Sequence, residues 1–249
     1  MKAVILAAGK GTRLGDLTKD IPKPMIRVAG KPVLEHIIGF IRDTGVNDFV
    51  LVTRYLSEKI EQYFGDGSDF GVSIKYIRQP DGKYGTGAAL LAAKDLVQDE
   101  PLMMTYGDII MSRSNYTGIL NVYKKHDGAG AITVNWVGDP CTGADVKLND
   151  EGRVIKIIEK PTPGVASKYL NSSGLFIFQP VIFNYLEKLA PSTRGEYELS
   201  DAMSNMVADG LALYPYYLEK SWRDVGRPED ITAAEQILES EIKYEDVCN

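Results

Sequence analysis

A glycine-rich, basic segment near the N-terminus carries the side chains best suited to chemistry. It occupies residues 6–14, with the sequence LAAGKGTRL, and follows an apolar run typical of a buried parallel strand. Gly9 and Gly11 permit backbone N–H groups to approach phosphate oxygens closely. The cations in and after the segment are Lys10, Arg13 and Lys23, the last between two prolines. This combination predicts a loop that binds phosphate groups at the end of the first strand.

Two well-defined phosphate loops do not fit the spacing. A Walker A loop has four residues between its glycines, whereas one residue separates Gly9 and Gly11. The dinucleotide fingerprint needs a third glycine where this chain has Leu14, and no acidic residue closes the next strand near Thr53. Both a kinase of the Walker type and a dehydrogenase are therefore disfavoured.

Two aspartates form a second group of candidate residues. Asp108 and Asp224 each lie at the end of a predicted strand, with a glycine close by that leaves the carboxylate accessible. Mg²⁺ prefers oxygen ligands and commonly uses one or two carboxylates together with substrate phosphates. The pair therefore predicts a magnesium site, although aspartates also cap helices and turns at such positions.

Gln79 and the glycines that follow it are candidates for recognising a base. Gln79 ends the third predicted strand, and Gly85 and Thr86 open the next helix. A carboxamide can donate and accept at once, which matches the N3–H and carbonyl edge of uracil or thymine. UTP or dTTP is therefore the favoured nucleotide.

Strands and helices alternate along the chain and would position these residues. The predicted strands are 2–6, 49–53, 72–76, 102–106, 131–137, 145–148, 154–158, 174–178 and 212–218. The predicted helices are 34–45, 86–97, 181–189, one after Glu198 and one from Pro228. The fold class is α/β and Rossmann-like, with a mostly parallel mixed sheet, helices on both faces and a partly antiparallel C-terminal half. We expect one domain over 1–249.

Composition excludes several classes of partner. Of the 249 residues, 44% are hydrophobic and 25% charged, and the net charge of −6 comes without a basic block. No nucleic-acid or membrane partner is expected, because both attract clustered cations or need long apolar runs. The start of the chain shows no signal-peptide pattern, so we expect a cytoplasmic protein.

The segment 6–14 together with Pro22-Lys23-Pro24 resembles the signature of the sugar-1-phosphate nucleotidyltransferases, also called nucleotide-sugar pyrophosphorylases. Later motifs of that family are matched in the same order. They are Gln79, Gly85-Thr86-Gly87, Gly107-Asp108, Gly143, Glu159-Lys160-Pro161, Asn171-Ser172-Ser173-Gly174 and Trp222-Arg223-Asp224-Val225-Gly226.

The resemblance implies that, within the single domain, 1–127 is mainly nucleotide-binding and 128–249 mainly sugar-phosphate-binding. It also implies a role for each matched residue. Nucleotide contacts fall on Leu6, Ala7, Ala8, Gly9, Lys10, Gly11, Thr12, Gln79, Gly85 and Thr86. Catalytic cations fall on Arg13 and Lys23, and Mg²⁺ ligands fall on Asp108 and Asp224. Contacts to the sugar phosphate fall on Gly143, Glu159, Lys160, Asn171 and Gly174. Similar proteins also suggest a homodimer.

The reaction expected from these residues joins a nucleoside triphosphate to a sugar 1-phosphate. A phosphate oxygen of the sugar phosphate attacks the α-phosphorus, and pyrophosphate leaves. Arg13, Lys23 and Mg²⁺ would offset the negative charge that collects there. The identity of the sugar stays open. Alternatives are a cytidylyltransferase acting on a phosphate such as phosphocholine, and an inactive nucleotide-binding regulatory subunit.

Overall fold

The computed structural model describes residues 1–166, 170–219 and 221–248, with side chains as far as Glu241. The strands in these ranges are β1 (Lys2–Ala7), β2 (Arg27–Val28), β3 (Lys31–Pro32), β4 (Asp48–Thr53), β5 (Ser73–Arg78), β6 (Leu102–Tyr106), β7 (Ile109–Met111), β8 (Gly130–Trp136), β9 (Ala144–Leu148), β10 (Val154–Glu159), β11 (Leu170–Phe178), β12 (Leu213–Tyr217) and β13 (Trp222–Asp224). The helices are α1 (Val33–Arg42), α2 (Ser57–Phe64), α3 (Thr86–Ala92), α4 (Lys94–Val97), α5 (Ser114–Lys125), α6 (Ile182–Leu186), α7 (Leu199–Ala208) and α8 (Pro228–Cys248).

The first strand lies inside a large mixed sheet. Strand β1 pairs in parallel with β4 and β6, and β4 pairs in parallel with β5. Strand β11 then runs antiparallel to β6, β8 and β9, and β10 is antiparallel to β9. The order is β10-β9-β11-β6-β1-β4-β5, with β8 and β12 continuing from β11. The predicted α/β class, parallel first half and partly antiparallel second half are confirmed.

Helices cover both faces of this sheet. Successive side chains of β1 point to opposite faces, so they enter two different hydrophobic clusters. Ala3 and Ile5 belong to one buried cluster, which also contains Ile37 of α1. Val4 belongs to the other cluster, together with Leu90 of α3 and Met203 of α7. Burying one such aliphatic side chain stabilises the fold by about 1.5–3 kcal/mol. The two clusters hold the carboxyl ends of the parallel strands in fixed relative positions.

Helix α1 forms where its pattern predicts it. Pro32 precedes the first turn, Glu35 lies in that turn, and Arg42 lies in the last turn. These charges complement the helix dipole, and Pro is favourable at the start because no N–H is needed there. Gly45, with φ of +89°, follows the helix in a conformation that favours glycine.

The structure differs from the sequence prediction in its helices. The predicted helix 86–97 is divided into α3 and α4, because Ala93 N–H bonds to the carbonyl of Leu90 and tightens the turn. Helix α5 was not predicted, since its segment contains Gly118 and a buried polar Asn115. Tertiary packing explains the glycine: a Cβ there would lie 2.2 Å from the ring of Tyr216. Within the described ranges, no helix is long and apolar enough to cross a membrane.

Candidate active site

A cleft of about 950 Å³ opens at the carboxyl ends of β1, β4, β5 and β6. This is the edge at which open α/β sheets bind ligands. Most of the candidate residues line it. They are Leu6, Ala7, Ala8, Gly9, Lys10, Lys23, Gln79, Gly85, Thr86, Asp108, Gly143, Glu159, Lys160, Gly174 and Asp224. Gly11, Thr12, Arg13 and Asn171 are not part of this wall.

Gly11 shapes the basic loop although it does not line the cleft. Its φ is +67°, and a Cβ there would lie 3.0 Å from both Lys23 Cβ and Thr18 Cγ2. The Thr18 hydroxyl donates to the Gly11 carbonyl at 2.9 Å, and Leu14 N–H donates to the same carbonyl at 3.0 Å. A glycine is therefore required where the loop turns back against Lys23.

Lys23 joins the two candidate aspartates at the centre of the cleft. Its Nζ donates to Asp108 Oδ2 and, at 2.9 Å, to Asp224 Oδ1. The antiparallel pairing of β7 with β13 places Asp224 opposite Ile109, next to Asp108 in the chain. A further bond from Val225 N–H to the Asp108 carbonyl, 2.8 Å long, ties the two segments together. Two carboxylates that converge on one ammonium ion could also be ligands of one metal ion.

The charges of this cluster depend on each other. Burial alone would lower the pKa of Lys23, but the charges and hydrogen bonds of Asp108 and Asp224 outweigh burial and raise it. Burial also raises the pKa of Asp108; Lys23 opposes this shift and Asp224 adds to it. Lys23 therefore stays protonated and offsets the repulsion between the two carboxylates.

Arg13 lies beside this cluster and is exposed. A Cβ placed on Gly226 would be 3.4 Å from either carboxylate oxygen of Asp224 and 3.6 Å from Arg13 Nη2. The guanidinium and the carboxylate thus flank one glycine. Arg13 is placed outside the wall of the cleft but within reach of an anion held at Asp224 and Lys23.

Gln79 occupies one end of the cleft and is 5% exposed. Its amide nitrogen donates to the carbonyls of Lys83, at 3.0 Å, and Gly85, at 3.5 Å. Both amide protons thus point to the backbone, which leaves the carbonyl oxygen to accept from a ligand. The sequence prediction assigned both donor and acceptor roles to this amide, and in this structure the acceptor is the available one.

The chain around Gly85 packs directly on the loop before α7. Gly85 has a φ of +110°, and a Cβ there would lie 2.4 Å from the carbonyl oxygen of Tyr197. Thr86 Oγ1 accepts a hydrogen bond of 3.1 Å from Leu199 N–H at the start of α7. This contact joins the predicted nucleotide half of the chain to the predicted sugar half.

Glu159 and Lys160 line the opposite end of the cleft, after β10. Lys160 has a positive φ of +42°, and its N–H donates to the Gly143 carbonyl at 2.9 Å. A non-glycine residue in this region costs about 1–3 kcal/mol, and such residues cluster at active sites. The glycine at position 143 is explained by close packing, since a Cβ there would lie 2.7 Å from Asn171 Nδ2.

Asn171 lies beneath the cleft rather than in its wall. It is 3% exposed, and its amide donates to the Pro140 carbonyl at 3.3 Å. Its neighbours Ser172 and Ser173 line the cleft instead. Side chains of β11 point to different sides of the sheet. The sequence alone does not indicate which of its polar residues point into the cleft.

An arginine and two glutamates in this wall are absent from the sequence prediction of site residues. Arg194 Nη1 lies 3.5 Å from Glu159 Oε1 and 3.4 Å from Glu198 Oε1, and Nη2 lies 3.5 Å from Glu196 Oε2. Burial raises the pKa of Glu198; Arg194 opposes the shift, and the neighbouring glutamates add to it. The charge density of residues 194–198 is equally typical of a surface loop.

Arg54 and Tyr84 form a further part of the wall that the sequence did not indicate. The guanidinium carbon lies 4.4 Å from the centre of the Tyr84 ring, and Arg54 Nη2 donates to the tyrosine hydroxyl at 3.0 Å. Arg54 follows Thr53, the partner of Ala7 in the parallel pairing of β1 and β4. The basic loop and the Gln79 end of the cleft are therefore bordered by one cationic side chain.

The chain belongs to the nucleotidyl transferase family, whose model matches residues 2–241. It is 38% identical to the UTP–glucose-1-phosphate uridylyltransferase AglF of Haloferax volcanii, over 97% of this chain and 98% of that protein. It is 34% identical to the low-salt glycan biosynthesis nucleotidyltransferase Agl11 of the same organism, over 96% of this chain and 66% of that protein.

Other relatives are longer than this chain. The bifunctional protein GlmU of Methanocaldococcus jannaschii is 39% identical over 96% of this chain but only 54% of its own length. The chain thus spans about half the length of several curated relatives. Among solved structures, a Bacillus anthracis protein assigned as a glucose-1-phosphate thymidylyltransferase, in complex with sucrose, is 25% identical. The two chains superpose with a TM-score of 0.83, over 95% of this one and 94% of that one.

Proposed function

We propose that this chain transfers the nucleotidyl group of UTP or dTTP to a hexose 1-phosphate, giving a nucleotide sugar and pyrophosphate. The observation that carries the proposal is the contact of Lys23 with both Asp108 and Asp224 at the centre of the cleft. A base acceptor lies at one end, and Glu159 and Lys160 lie at the other. The relative AglF, which the chain covers almost completely, is named for the same reaction class.

The two ends of the cleft determine how the substrates would lie. The base would bind beside Gln79, and the sugar would bind near Glu159, whose carboxylate can accept hydrogen bonds from hydroxyls. Lys160 and Arg194 would receive the phosphate of the sugar, because both are cations in the same wall. The phosphates of both substrates would then meet at Lys23.

The donor set at the centre of the cleft fits a magnesium ion. Asp108 and Asp224 converge on one cation, the ammonium group of Lys23, and carboxylate oxygens are the ligands that Mg²⁺ prefers. We propose that these two residues hold Mg²⁺ when the triphosphate is present. The ion would supply positive charge to the phosphate oxygens.

The chemical step needs no general base from the protein. A phosphate monoester has a second pKa of about 6, so its oxygen is already a nucleophile at neutral pH. That oxygen forms a bond to the α-phosphorus. The bond from the α-phosphorus to the oxygen that bridges the α- and β-phosphorus atoms breaks, and pyrophosphate leaves. Lys23 provides a fixed positive charge where these groups meet, and Arg13 provides one beside them.

The hydrogen bonds of Gln79 favour a base with a donor at N3. Its amide protons are directed to Lys83 and Gly85, so its oxygen can accept from the N3–H of uracil or thymine. Cytosine has an acceptor at N3, so the Gln79 oxygen and the cytosine N3 would face each other with no proton between them.

A cytoplasmic location is part of the proposal, because nucleoside triphosphates are the substrates.

Pyrophosphate release tests the proposal and its alternatives together. UTP, dTTP, CTP, GTP and ATP would each be offered with glucose, galactose, mannose and N-acetylglucosamine 1-phosphates and with phosphocholine, in the presence of Mg²⁺. Release with UTP or dTTP and a hexose phosphate supports the proposal. Release only with CTP and phosphocholine would replace it with the cytidylyltransferase alternative. Nucleotide binding without any release would support the regulatory alternative.

A further inference from the structure

A second cleft lies next to the active-site cleft and shares Trp222 with it. Its volume is about 600 Å³, within the range of small-molecule sites of about 300–1,000 Å³. The ends of β8 and β12, the start of β13 and one side of α8 enclose it. No residue assigned to the transfer reaction above lines this second cleft.

Two aromatic side chains form an exposed surface in the second cleft. Tyr217 is the register partner of Val134, two positions before Trp136, so the two rings are diagonal neighbours on one face of the sheet. Their centroids are 6.4 Å apart and their planes differ by 24°. Trp136 is 64% exposed and Tyr217 43% exposed. Adjacent exposed aromatic rings are characteristic of binding sites rather than of an ordinary protein surface.

Polar side chains surround this aromatic surface. Asn135 and Gln236 present carboxamides, and Arg223 presents a guanidinium that is 3.8 Å from Asp230. The residues that line the cleft in the described part of the chain include no carboxylate. Carboxamides donate and accept at once, which suits hydroxyl groups. Aromatic faces carry partial negative charge and pack against the polarised C–H groups of a sugar ring.

We propose that the second cleft binds a saccharide, with a hexose ring against Trp136 and Tyr217 and its hydroxyls bonded to the Gln236 carboxamide and to the Asn135 carboxamide oxygen. Among the described lining residues, the lack of carboxylates and the presence of Arg223 disfavour a cationic ligand. The same lining residues are compatible with a neutral sugar or with a sugar that carries a phosphate group. A free hexose, a hexose phosphate and a nucleotide sugar share the required ring chemistry.

The hydrogen bonds of Asn135 connect the second cleft to the active-site cleft. With the Asn135 amide in the orientation that satisfies its neighbours, its oxygen accepts from Trp222 Nε1 at 2.8 Å and its nitrogen donates to Ser173 Oγ at 2.8 Å. Ser173 lines the active-site cleft, and Asp224 is two residues beyond Trp222. A sugar in the second cleft would contact groups that also contact the active site, and it would alter the KM of the transfer reaction. This last expectation rests on the proposed function, whereas binding itself does not.

Fluorine NMR would test binding directly, because the chain contains two tryptophans and both line the second cleft. The full-length protein would be labelled with 5-fluorotryptophan, and the two resonances would be assigned with Trp136→Phe. The probes are D-glucose, D-glucose 1-phosphate, UDP-glucose and, as a base without a hexose, uridine. Tyr217→Ala and Gln236→Ala alter the second cleft, Glu159→Gln alters the active site, and the exposed Tyr63→Ala serves as a matched aromatic control.

We expect at least one hexose-containing probe to shift the Trp136 resonance in a saturable manner. Tyr217→Ala should weaken that binding about tenfold, since it removes one of the two aromatic rings against which the hexose ring packs. Glu159→Gln and Tyr63→Ala should leave it unchanged. The probe that binds most tightly identifies the source of the ring.

Three results would overturn the inference. The Trp136 resonance could stay unshifted by every hexose probe, or it could shift with uridine alone. Alternatively, sedimentation could show self-association that Trp136→Ala abolishes, which would make this face an interface between copies. If the wild-type chain transfers no nucleotide in the pyrophosphate assay, the binding result still stands or fails by itself.

Discussion

Lys23 and Asp224 are 201 positions apart in the chain, yet Lys23 Nζ donates to Asp224 Oδ1 at 2.9 Å. The contact depends on β13 pairing with β7 in a separate two-stranded sheet, which brings Asp224 beside the segment that follows β6. The centre of the cleft is therefore assembled only in the folded protein. Substitution can alter the charges of Lys23, Asp108 and Asp224 one at a time.

Lys23→Met should reduce the rate of nucleotidyl transfer by about 10²–10³-fold, the usual effect of removing one preorganised group that stabilises developing charge. The change keeps most of the side-chain volume and removes the ammonium group between Asp108 and Asp224. Steady-state pyrophosphate release measures the rate, and circular dichroism checks the fold. A folded variant with the wild-type rate would exclude Lys23 from catalysis.

Asp108→Asn and Asp224→Asn should each raise the Mg²⁺ concentration needed for half-maximal activity. Each substitution replaces a charged oxygen ligand by a weaker neutral one. Activity would be titrated against Mg²⁺ for both variants and for Asp95→Asn, an exposed aspartate on α4 that serves as control. An unchanged magnesium requirement in both cleft variants would contradict the proposed metal site.

Gln79→Ala should raise the KM for UTP about tenfold and narrow the preference for UTP over CTP, because the acceptor of N3–H is lost. The substitution leaves the carbonyls of Lys83 and Gly85 without their donor. Competition between the two triphosphates in one reaction gives the ratio of kcat/KM values directly. A preference that is fully retained would show that other groups select the base.

Gly85→Ala should destabilise the protein more than Gly82→Ala. Both glycines have positive φ, +110° and +84°, so both substitutions introduce backbone strain. Of the two, Gly85 lies against another segment, with a Cβ position 2.4 Å from Tyr197 O, whereas no atom of the described residues lies within 4 Å of a Cβ at Gly82. Urea denaturation of the two variants isolates the effect of that collision. Equal midpoints would show that the loop can move away from Tyr197 freely.

Glu198→Gln should make the free energy of unfolding less dependent on pH. Burial raises the pKa of Glu198 in the folded state despite Arg194, so the folded protein favours the protonated carboxyl. Its contribution to stability is present below the usual glutamate pKa of 4.5 and is lost as the pH rises through the folded-state value. The variant should therefore gain stability relative to wild type between acidic and neutral pH. Urea denaturation at several pH values measures the gain, and a relative loss of stability at neutral pH would contradict the assignment.

The sequence is enough to predict where the basic loop lies, because glycines and lysines that follow a buried strand can be recognised within one short segment. It also predicts the central strands, whose apolar runs are long and whose positions are confirmed. The positions of Arg194 and Asn171 could not be predicted in this way. Whether Arg194 points into the cleft, and whether Asn171 lies in its wall or beneath it, depends on the packing of segments far apart in the chain.

The stoichiometry of the reaction tests most directly whether the chain transfers a nucleotidyl group to a hexose 1-phosphate. UTP and glucose 1-phosphate would be incubated with the protein and Mg²⁺, and pyrophosphate and nucleotide sugar would be quantified in the same sample. Nucleotidyl transfer requires equal amounts of the two products and no pyrophosphate without the sugar phosphate, and Lys23→Met should form both products much more slowly. Pyrophosphate formed without the sugar phosphate, or no nucleotide sugar from any hexose 1-phosphate with UTP or dTTP, would contradict it.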